Sequence, residues 1–376
     1  MRSDARQESF NSPSIIGNIL RRLHLDIPLL LGVLLICSLS FVILYSASGQ
    51  KIAVLIRHGT HLGLALLVMT VLAHVNPRRF QSFSLALFCV CVLLLFAVTV
   101  MGQIGKGAQR WLDLGVFRFQ PSELTKLSAP MMVAWYLAEH PLPPKARHVL
   151  AAGGLLALPV LLIAKQPDLG TALLVASSGA AVLFFAGLSW WYMLGAAALL
   201  ASLTPVLWHF MREYQRNRVL TFINPEADPM GAGYHIIQSK IAIGSGGING
   251  KGWLGSSQAE LDFLPESSTD FIFAVFAEEF GLFGCLGLLF LYLLVISRCF
   301  YIAVQAQDTY SRLLAGSLSF TLFVYVFVNI GMVIGVLPVV GVPLPLVSYG
   351  GTSMVTLMSG FGILMSIHTH RKLLPV

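Results

Sequence analysis

The polar residues of this chain that could carry out chemistry are concentrated in a few segments between long apolar runs. The longest of these segments, at about 211–270, ends in Ser267-Ser268-Thr269-Asp270, directly before an apolar run. An aspartate in that place could cap the helix that follows, or it could act as a general base in a reaction. The residues alone leave both roles open for Asp270.

Two further carboxylates, Glu123 and Asp168, stand close to the starts of apolar runs. Either could help to hold a divalent cation, Mg²⁺ or Mn²⁺, through its oxygens. Glu123 also lies three residues before Lys126, so on a helix these two side chains could simply neutralise one another. The sequence therefore leaves a metal ion open and predicts no other cofactor.

Basic side chains in the polar segments could bind the oxygens of a phosphate group. Arginine does this with a planar fork of donors, and lysine does it as a point charge. The candidates are Arg110, Lys126, Lys240, Arg216 and Arg218. The glycine run 244–252 does not add a nucleotide site, because Gly252 stands where a phosphate loop needs Ser or Thr after its lysine.

These residues must be positioned by helices in a membrane, because the composition excludes an ordinary soluble domain. Hydrophobic residues make up 56% of the chain and charged residues 11%, and the mean hydropathy is +0.78. Ten apolar runs are long enough to cross the hydrocarbon core. They predict an all-α polytopic bundle of ten transmembrane helices at about 27–46, 58–75, 81–101, 122–138, 148–164, 170–188, 190–210, 271–303, 311–337 and 351–368.

The long polar segment at about 211–270 separates the seventh predicted span from the eighth. An even number of spans places both termini on one side, and the short loops of that side carry more lysine and arginine than the opposite ones. The positive-inside rule therefore predicts cytoplasmic termini and an outward-facing long loop. The net charge of +7 includes basic residues on the outer side that suit anionic lipids or an anionic substrate. Nucleic acid is not a predicted partner.

Two classes of function fit such a bundle with polar, charged segments on its outer side. A transporter or flippase would carry a polar path through the membrane, whereas an enzyme would act on a lipid-linked anion at the outer surface. Transporters are typically built from internal repeats. No clear repeat occurs here, since seven predicted spans precede the long loop and three follow it. This asymmetry favours the enzyme.

Six motifs resemble, in order, those of the SEDS family, the shape, elongation, division and sporulation proteins of bacteria, and are most similar to its RodA-type members. The motifs are KGAQRWLDLG (106–115), FQPSE (119–123), QPDLGT (166–171), GAGYHIIQSKIAIGSGG (231–247), FLPESSTDFIFAVFAEEFG (263–281) and VLPVVGVPLPLVSYGG (336–351). The resemblance begins at about Ile27 and implies a single ten-helix membrane domain at 27–376. The residues before it, 1–26, are predicted to form a cytoplasmic N-terminal tail.

The resemblance also implies an activity, a peptidoglycan glycosyltransferase that polymerises lipid II at the outer leaflet of the bacterial inner membrane during rod-shaped elongation. The essential aspartate of the family falls on Asp270, which would act as general base in a single displacement that inverts the anomeric centre. The expected substrate-binding residues are Arg110, Lys126, Lys240, Arg216, Arg218, Glu123 and Asp168. The glycine run 244–252 is a candidate hinge for movement of the growing strand.

The partners implied by the resemblance are lipid II, a class B penicillin-binding transpeptidase, other membrane proteins of the elongation complex, and membrane lipids. Two alternatives remain for such a protein, a lipid II flippase and a non-catalytic scaffold of the cell-wall machinery. A flippase needs polar residues along the spans, and these are sparse apart from Glu278, Glu279 and Asn329. For Glu278 and Glu279 a structural hydrogen-bond or ion-pair role stands beside a proton path.

Overall fold

The structure is a computed structural model and describes residues 24–105, 108–113, 118–211, 213–227, 232–261, 263–264 and 266–371. The described chain is mainly helical. The helices with 17 or more residues are α1 (Ile27–Ala47), α2 (Ile52–His74), α3 (Pro77–Met101), α4 (Pro121–Ala138), α5 (Ala146–Lys165), α6 (Leu169–Phe185), α7 (Trp190–Phe210), α11 (Ile272–Gln305), α12 (Thr309–Val333) and α13 (Gly351–Thr369). Most of the predicted N-terminal tail lies outside the described residues.

Each predicted span coincides with one of these helices, although the ends differ. The largest shift is at α2, which begins at Ile52 rather than at 58 because Arg57 is exposed on the helix surface and does not interrupt it. Within the described residues, six helices are long and apolar enough to cross a membrane. Large apolar side chains such as Leu31 and Phe96 face outward from them, as contact with lipid requires. The six are α1, α2, α3, α5, α11 and α12.

The centre of the bundle is formed by α4 and α12, whose side chains are largely buried. Around them, α12 packs against α6 and α11, and α3 packs against α4. The contact between α2 and α13 is close at Gly362, because a Cβ there would lie only 2.5 Å from the carbonyl oxygen of Met69. Small residues allow helix backbones in a membrane to approach in this way.

The segment predicted as a long loop, about 211–270, contains regular structure that the hydropathy pattern does not reveal. It holds α8 (Glu213–Ile223), a short 3₁₀ turn (Pro225–Ala227), α9 (Ala232–Gly246) and the single turn α10 (Ser257–Glu260). Helix α9 packs against α11 and buries Ile236 and Ala242. Its stability therefore comes from tertiary packing of one face rather than from a long apolar run.

The glycine run 244–252 is packed against α11 rather than forming a free connection. The backbone N–H groups of Lys251 and Gly252 donate to the carbonyls of Glu278 and Glu279, at 3.0 and 2.9 Å. A Cβ on Gly250 would collide with the carbonyl oxygen of Glu279. A hinge movement in this run would have to break these backbone contacts.

Glu278 is fully buried and has a structural ion-pair role, which was one of its two predicted roles. Its carboxylate accepts from the Lys251 ammonium at 2.6 Å and from the hydroxyls of Ser256 and Ser257 at 2.6 and 2.9 Å. The neighbouring Glu279 accepts from the hydroxyl of Ser46 on α1. The contacts of Glu278 neutralise a carboxylate that would otherwise be costly at this depth.

A small antiparallel sheet is the one departure from the predicted all-α class within the described residues. Its strands are β1 (Gln103–Gly105), β2 (Ala108–Asp113) and β3 (Arg118–Phe119), in the order β1-β2-β3. Strands this short show little alternation of hydrophobic and polar residues, so the sequence does not predict them. The sheet places β2 over the start of α4.

Candidate active site

A cavity of about 280 Å³ lies at the end of the bundle where α1 ends and α4, α6 and α11 begin. The segment 266–270 lies at this end of α1, since the Ser267 hydroxyl donates to the carbonyl of Ala47 at 3.0 Å. The residues that line the cavity are Arg110, Trp111, Gln120, Glu123, Lys126, Asp168, Thr171, Leu174, Glu266, Thr269, Asp270, Gly341, Val342, Pro343, Tyr349, Gly350, Thr352 and Ser353.

Asp270 lines this cavity and is only partly buried. The N-cap of α11 is Phe271 and the helix begins at Ile272, so the predicted capping position for Asp270 is wrong by one residue. The chain makes a turn through 266–270 instead, with the Phe271 N–H donating to the Glu266 carbonyl at 3.3 Å. Asp270 is thus placed at the cavity wall by the turn before the helix.

Lys126 and Glu123 form the ion pair that their spacing allows, with Nζ and Oε1 2.7 Å apart. Both side chains are buried in α4, and the ammonium also lies 5.2 Å from the ring centre of Tyr325 on α12. The second carboxylate oxygen of Glu123 is buried and has no hydrogen-bond partner within the described chain. Burying a charge pair costs free energy. This buried pair borders the cavity.

Arg110 and Asp168 form a second pair at the cavity wall. The Arg110 guanidinium on β2 donates to the carbonyl of Pro167 at 2.5 Å and lies 3.7 Å from the Asp168 carboxylate. Asp168 is the N-cap of α6 and accepts from the Thr171 N–H at 3.3 Å and from the Gln120 amide at 3.1 Å. Both oxygens of Asp168 are therefore engaged, whereas the buried Nε of Arg110 has no partner in the described part of the structure.

Three predicted binding residues, Lys240, Arg216 and Arg218, do not line the cavity. Arg216 donates instead to the backbone carbonyls of Trp208 and His209 at the end of α7, at 2.9 and 2.6 Å. Lys240 is exposed on α9, because that helix turns its other face towards α11. Charge and segment alone could not distinguish these residues from Arg110 and Lys126.

The prediction of site residues relied on charge, and it therefore missed several uncharged residues that line the cavity. Trp111 and Gln120 lie beside predicted residues in the sequence, and Tyr349 and Gly350 belong to the segment that follows α12. The motifs around 106–123 and 336–351 already contain them. The signal that could have found them was thus the motifs and not the residue chemistry.

A metal centre is not evident from the protein ligands. In the described part of the chain, no group of three or more His, Cys, Asp or Glu side chains is arranged to hold a metal ion. Two carboxylates of the cavity are instead paired with cations, Glu123 with Lys126 and Asp168 with Arg110.

The fold and the site define a class, a helical protein with several membrane-crossing helices and a cavity of mixed charge at one end of its bundle. The model of the FtsW, RodA and SpoVE family, described as cell cycle protein, matches residues 19–373. The chain belongs to this family. The resemblance to RodA-type members is confirmed, and the chain is a multi-pass membrane protein.

The curated relatives match over nearly their whole length. The peptidoglycan glycosyltransferase MrdB of Escherichia coli K12 is 54% identical over 354 residues, which are 94% of this chain and 96% of the relative. The peptidoglycan glycosyltransferase MrdB of Helicobacter pylori J99 is 36% identical over 357 residues, or 93% and 91% of the two chains.

Solved structures share the fold. One chain from work on how a peptidoglycan synthase complex coordinates polymerization and crosslinking is 34% identical, with a TM-score of 0.81 over 93% of this chain and 98% of that one. The rod shape determining protein RodA of Thermus thermophilus is 31% identical, with a TM-score of 0.69 over 91% and 96% of the two chains.

Proposed function

We propose that this protein is a peptidoglycan glycosyltransferase that polymerises lipid II at the outer leaflet of the bacterial inner membrane, for cell elongation and rod shape. The observation that carries the proposal is the cavity itself, because Asp270, Arg110 and Lys126 all line it. A carboxylate beside two cations suits the transfer of a sugar from a pyrophosphate. The name of the relatives as peptidoglycan glycosyltransferases supports the same activity.

In the proposed reaction, the C4 hydroxyl of one lipid-linked saccharide attacks the anomeric carbon of another. Asp270 takes the hydroxyl proton on its carboxylate, so that the oxygen can form the new bond. The bond from the anomeric carbon to the pyrophosphate breaks, and the prenyl pyrophosphate leaves with the electron pair. One displacement inverts the anomeric centre, and no second carboxylate is needed as a nucleophile.

The leaving pyrophosphate carries charge that the cavity must stabilise. Arg110 and Lys126 are the proposed binding residues, because both line the cavity. Glu123 and Asp168 would orient them, each through its ion pair. Lys240, Arg216 and Arg218, which the sequence also suggested, lie away from the cavity, and their proposed contact is with lipid headgroups at the membrane surface.

A divalent cation, Mg²⁺ or Mn²⁺, is a further proposed means of neutralising the pyrophosphate. Glu123 fits such an ion best, since its second oxygen is buried without a partner among the described residues. Asp168 fits less well, because its oxygens already accept hydrogen bonds from Gln120 and Thr171. When bound, the ion would supply positive charge at the leaving group.

The proposed arrangement in the membrane has ten spans, both termini in the cytoplasm and the cavity facing outward. The ten long helices of the described chain, with 211–270 between α7 and α11, support it, and so does the excess of basic residues in the loops on the side of the termini. An outward cavity would meet lipid II after the lipid has reached the outer leaflet.

The proposed protein partner is a class B penicillin-binding transpeptidase that cross-links the new strands, within a complex of other elongation membrane proteins and membrane lipids. The support comes from the similar chain found in work on a synthase complex with both polymerization and crosslinking. No nucleic acid is proposed as a partner.

The rival function, lipid II flipping, has weaker support from the polar residues within the spans. Glu278 is consumed by Lys251 and serines, and the amide nitrogen of Asn329 donates to two backbone carbonyls. The Glu278 carboxylate and the Asn329 amide nitrogen are therefore occupied and do not offer free sites along a path through the bundle.

The experiment that tests the function uses the full-length protein in vesicles with fluorescent lipid II. The class B penicillin-binding protein is included and its transpeptidase activity is blocked. A ladder of glycan strands on a gel is expected. Faster exchange of lipid II between the leaflets without any ladder would instead support the flippase, and neither activity from folded protein would support the scaffold.

A further inference from the structure

Three consecutive backbone carbonyls shortly before α11 accept hydrogen bonds from α12 and from the non-helical segment that follows α12. The Ser268 carbonyl accepts from the Tyr349 N–H at 2.9 Å, and the Thr269 carbonyl accepts from the Ser348 hydroxyl at 2.6 Å. The Asp270 carbonyl accepts from the side-chain amide of Asn329 at 2.9 Å. We call these three hydrogen bonds the carbonyl clamp.

Asn329 is the most informative member of the carbonyl clamp. It lies on α12, its side chain is completely buried, and its amide nitrogen also donates to the Val342 carbonyl at 2.7 Å. Its carbonyl oxygen is buried without a hydrogen-bond partner in the described chain. An apolar residue would avoid that unsatisfied oxygen on a membrane helix. The amide is therefore explained by what its nitrogen holds together, namely Asp270 and Val342.

Ser348 has a comparable double contact. Its hydroxyl oxygen accepts from the Leu344 N–H at 2.8 Å while it donates to the Thr269 carbonyl. The side chain is buried. One hydroxyl thus fixes the shape of the non-helical segment 336–350 and joins that segment to the residue before Asp270.

The segment held by the carbonyl clamp also approaches the Asp270 side chain. A Cβ on Gly341 would lie 3.5 Å from the Asp270 carboxylate, and Gly341 has φ +75°. The buried Tyr292 hydroxyl on α11 donates to the Pro345 carbonyl at 2.5 Å. Segment 336–350 is therefore attached to α11 through Tyr292, and it borders the Asp270 carboxylate at Gly341.

We infer that Asn329 and Ser348 are positioning residues. They hold the backbone of Thr269 and Asp270 against α12 and segment 336–350, so that the Asp270 carboxylate keeps its place in the cavity wall. This rests on the proposed role of Asp270 as general base. They act through backbone carbonyls and touch no reacting atom. A catalytic base must be held close to its ideal geometry, because a displacement of about 1 Å can cost about 100-fold in rate.

The test measures polymerisation rates of full-length protein with its transpeptidase-blocked partner over a range of fluorescent lipid II concentrations. The variants are Asn329→Leu and Ser348→Ala, and the matched control is Ser317→Ala. The Ser317 hydroxyl is equally buried and donates to the carbonyl of Ser178 on α6 at 2.7 Å, joining two helices away from the cavity. Thermal unfolding of each variant is measured in detergent.

The expected result is a kcat reduced about tenfold or more in both clamp variants, with KM within about twofold of wild type. Ser317→Ala, which loses the same kind of bond, is expected to lose stability without this loss of kcat. Ser348→Thr keeps the hydroxyl and is expected to recover most of the rate. If Asn329→Leu does not fold, Asn329→Gln, with a displaced amide, is expected to show the same loss of kcat.

Clamp variants with the kcat of Ser317→Ala would overturn the positioning role. Equal loss in Ser348→Thr and Ser348→Ala would do so too, because the hydroxyl would then be irrelevant. Asp270→Asn in the same assay distinguishes an incorrect positioning role from an incorrect assignment of Asp270 as the base. An active Asp270→Asn contradicts the base, whereas an inactive Asp270→Asn beside fully active clamp variants contradicts only the clamp.

Discussion

At the scale of single residues, the charge of Lys126 is part of a buried ion pair within α4 and also part of the cavity lining. It is paired with Glu123 at 2.7 Å and buried beneath Tyr325, yet it borders the cavity that contains Asp270. Removing one partner of a buried pair leaves an uncompensated charge, so a single substitution cannot separate the two roles. Replacing both charged side chains with neutral ones of similar size can separate the two roles.

We predict that Lys126→Met alone loses about 3–5 kcal/mol of stability, because Glu123 is left buried without its cation. The double variant Glu123→Gln/Lys126→Met should recover most of that loss, since no charge remains unpaired. If Lys126 binds pyrophosphate, the double variant should nevertheless polymerise lipid II poorly. Thermal unfolding and polymerisation rates of the same preparations measure the two effects.

The result that would contradict a binding role is a stable double variant that polymerises at the wild-type rate. The pair would then be only a structural element of α4. Loss of rate in the double variant with normal unfolding would give the pair a role in the site, and Glu123→Gln alone in the same assay would separate the Lys126 contact from the cation proposed at Glu123.

At the scale of elements, the contact between the glycine run and α11 is the feature that hydropathy could not reveal. Gly246 and Gly250 both lie where a Cβ would collide with backbone carbonyls of α11, whereas a Cβ on Gly244 would meet nothing within 4 Å. Glycine is thus required at specific positions of this run and is free to change at another.

We predict that Gly246→Ala destabilises the protein by about 2 kcal/mol, because the added methyl group forces α9 away from α11. Gly244→Ala is the matched control in the same helix. It should be neutral or should stabilise by up to about 1 kcal/mol, since alanine favours helix. Thermal unfolding of both variants checks this, and equal behaviour of the two would show that the close packing does not matter for stability.

The ten long helices of the described chain were predictable because their sequences are mainly apolar, and hydropathy reports apolar runs directly. The structure within 211–270 was not, because α9 is stabilised by contacts with α11 that are distant in sequence. The same reason explains the candidate site. Arg110, Lys126 and Asp270 could be named from charge and motif, but the separation of Lys240 from the cavity depends on which face α9 buries.

At the scale of the whole molecule, ion pairs and caps join helices at the end opposite the cavity. Asp26 caps α1 through the Leu29 N–H at 3.0 Å and also accepts from the Arg298 guanidinium of α11 at 3.0 and 2.6 Å. Burial raises the pKa of the Asp26 carboxyl, but the hydrogen bonds and charge of Arg298 outweigh burial and lower the pKa overall. Asp26 therefore joins the first helix to the helix that begins beside Asp270.

We predict that Asp26→Ala lowers the free energy of unfolding by about 2 kcal/mol more than Asp308→Ala. Asp308 is the matched control, because it caps α12 through the Ser311 N–H at 2.8 Å. Because the folded pKa of Asp26 is lowered, its contribution is present at neutral pH and is lost as the pH falls below about 4. Chemical denaturation in detergent at neutral pH tests this, and equal losses in the two variants would contradict it.

The measurement that tests the central claim most directly compares wild type, Asp270→Asn and Asp308→Asn in the fluorescent lipid II ladder assay. Asparagine keeps the size of the side chain at position 270 but cannot accept the hydroxyl proton. Asp270→Asn should lower the polymerisation rate by about 10²–10⁴-fold with unchanged thermal unfolding, while Asp308→Asn should polymerise as wild type does. A ladder of normal length and rate from Asp270→Asn would contradict the assignment of Asp270 as the base.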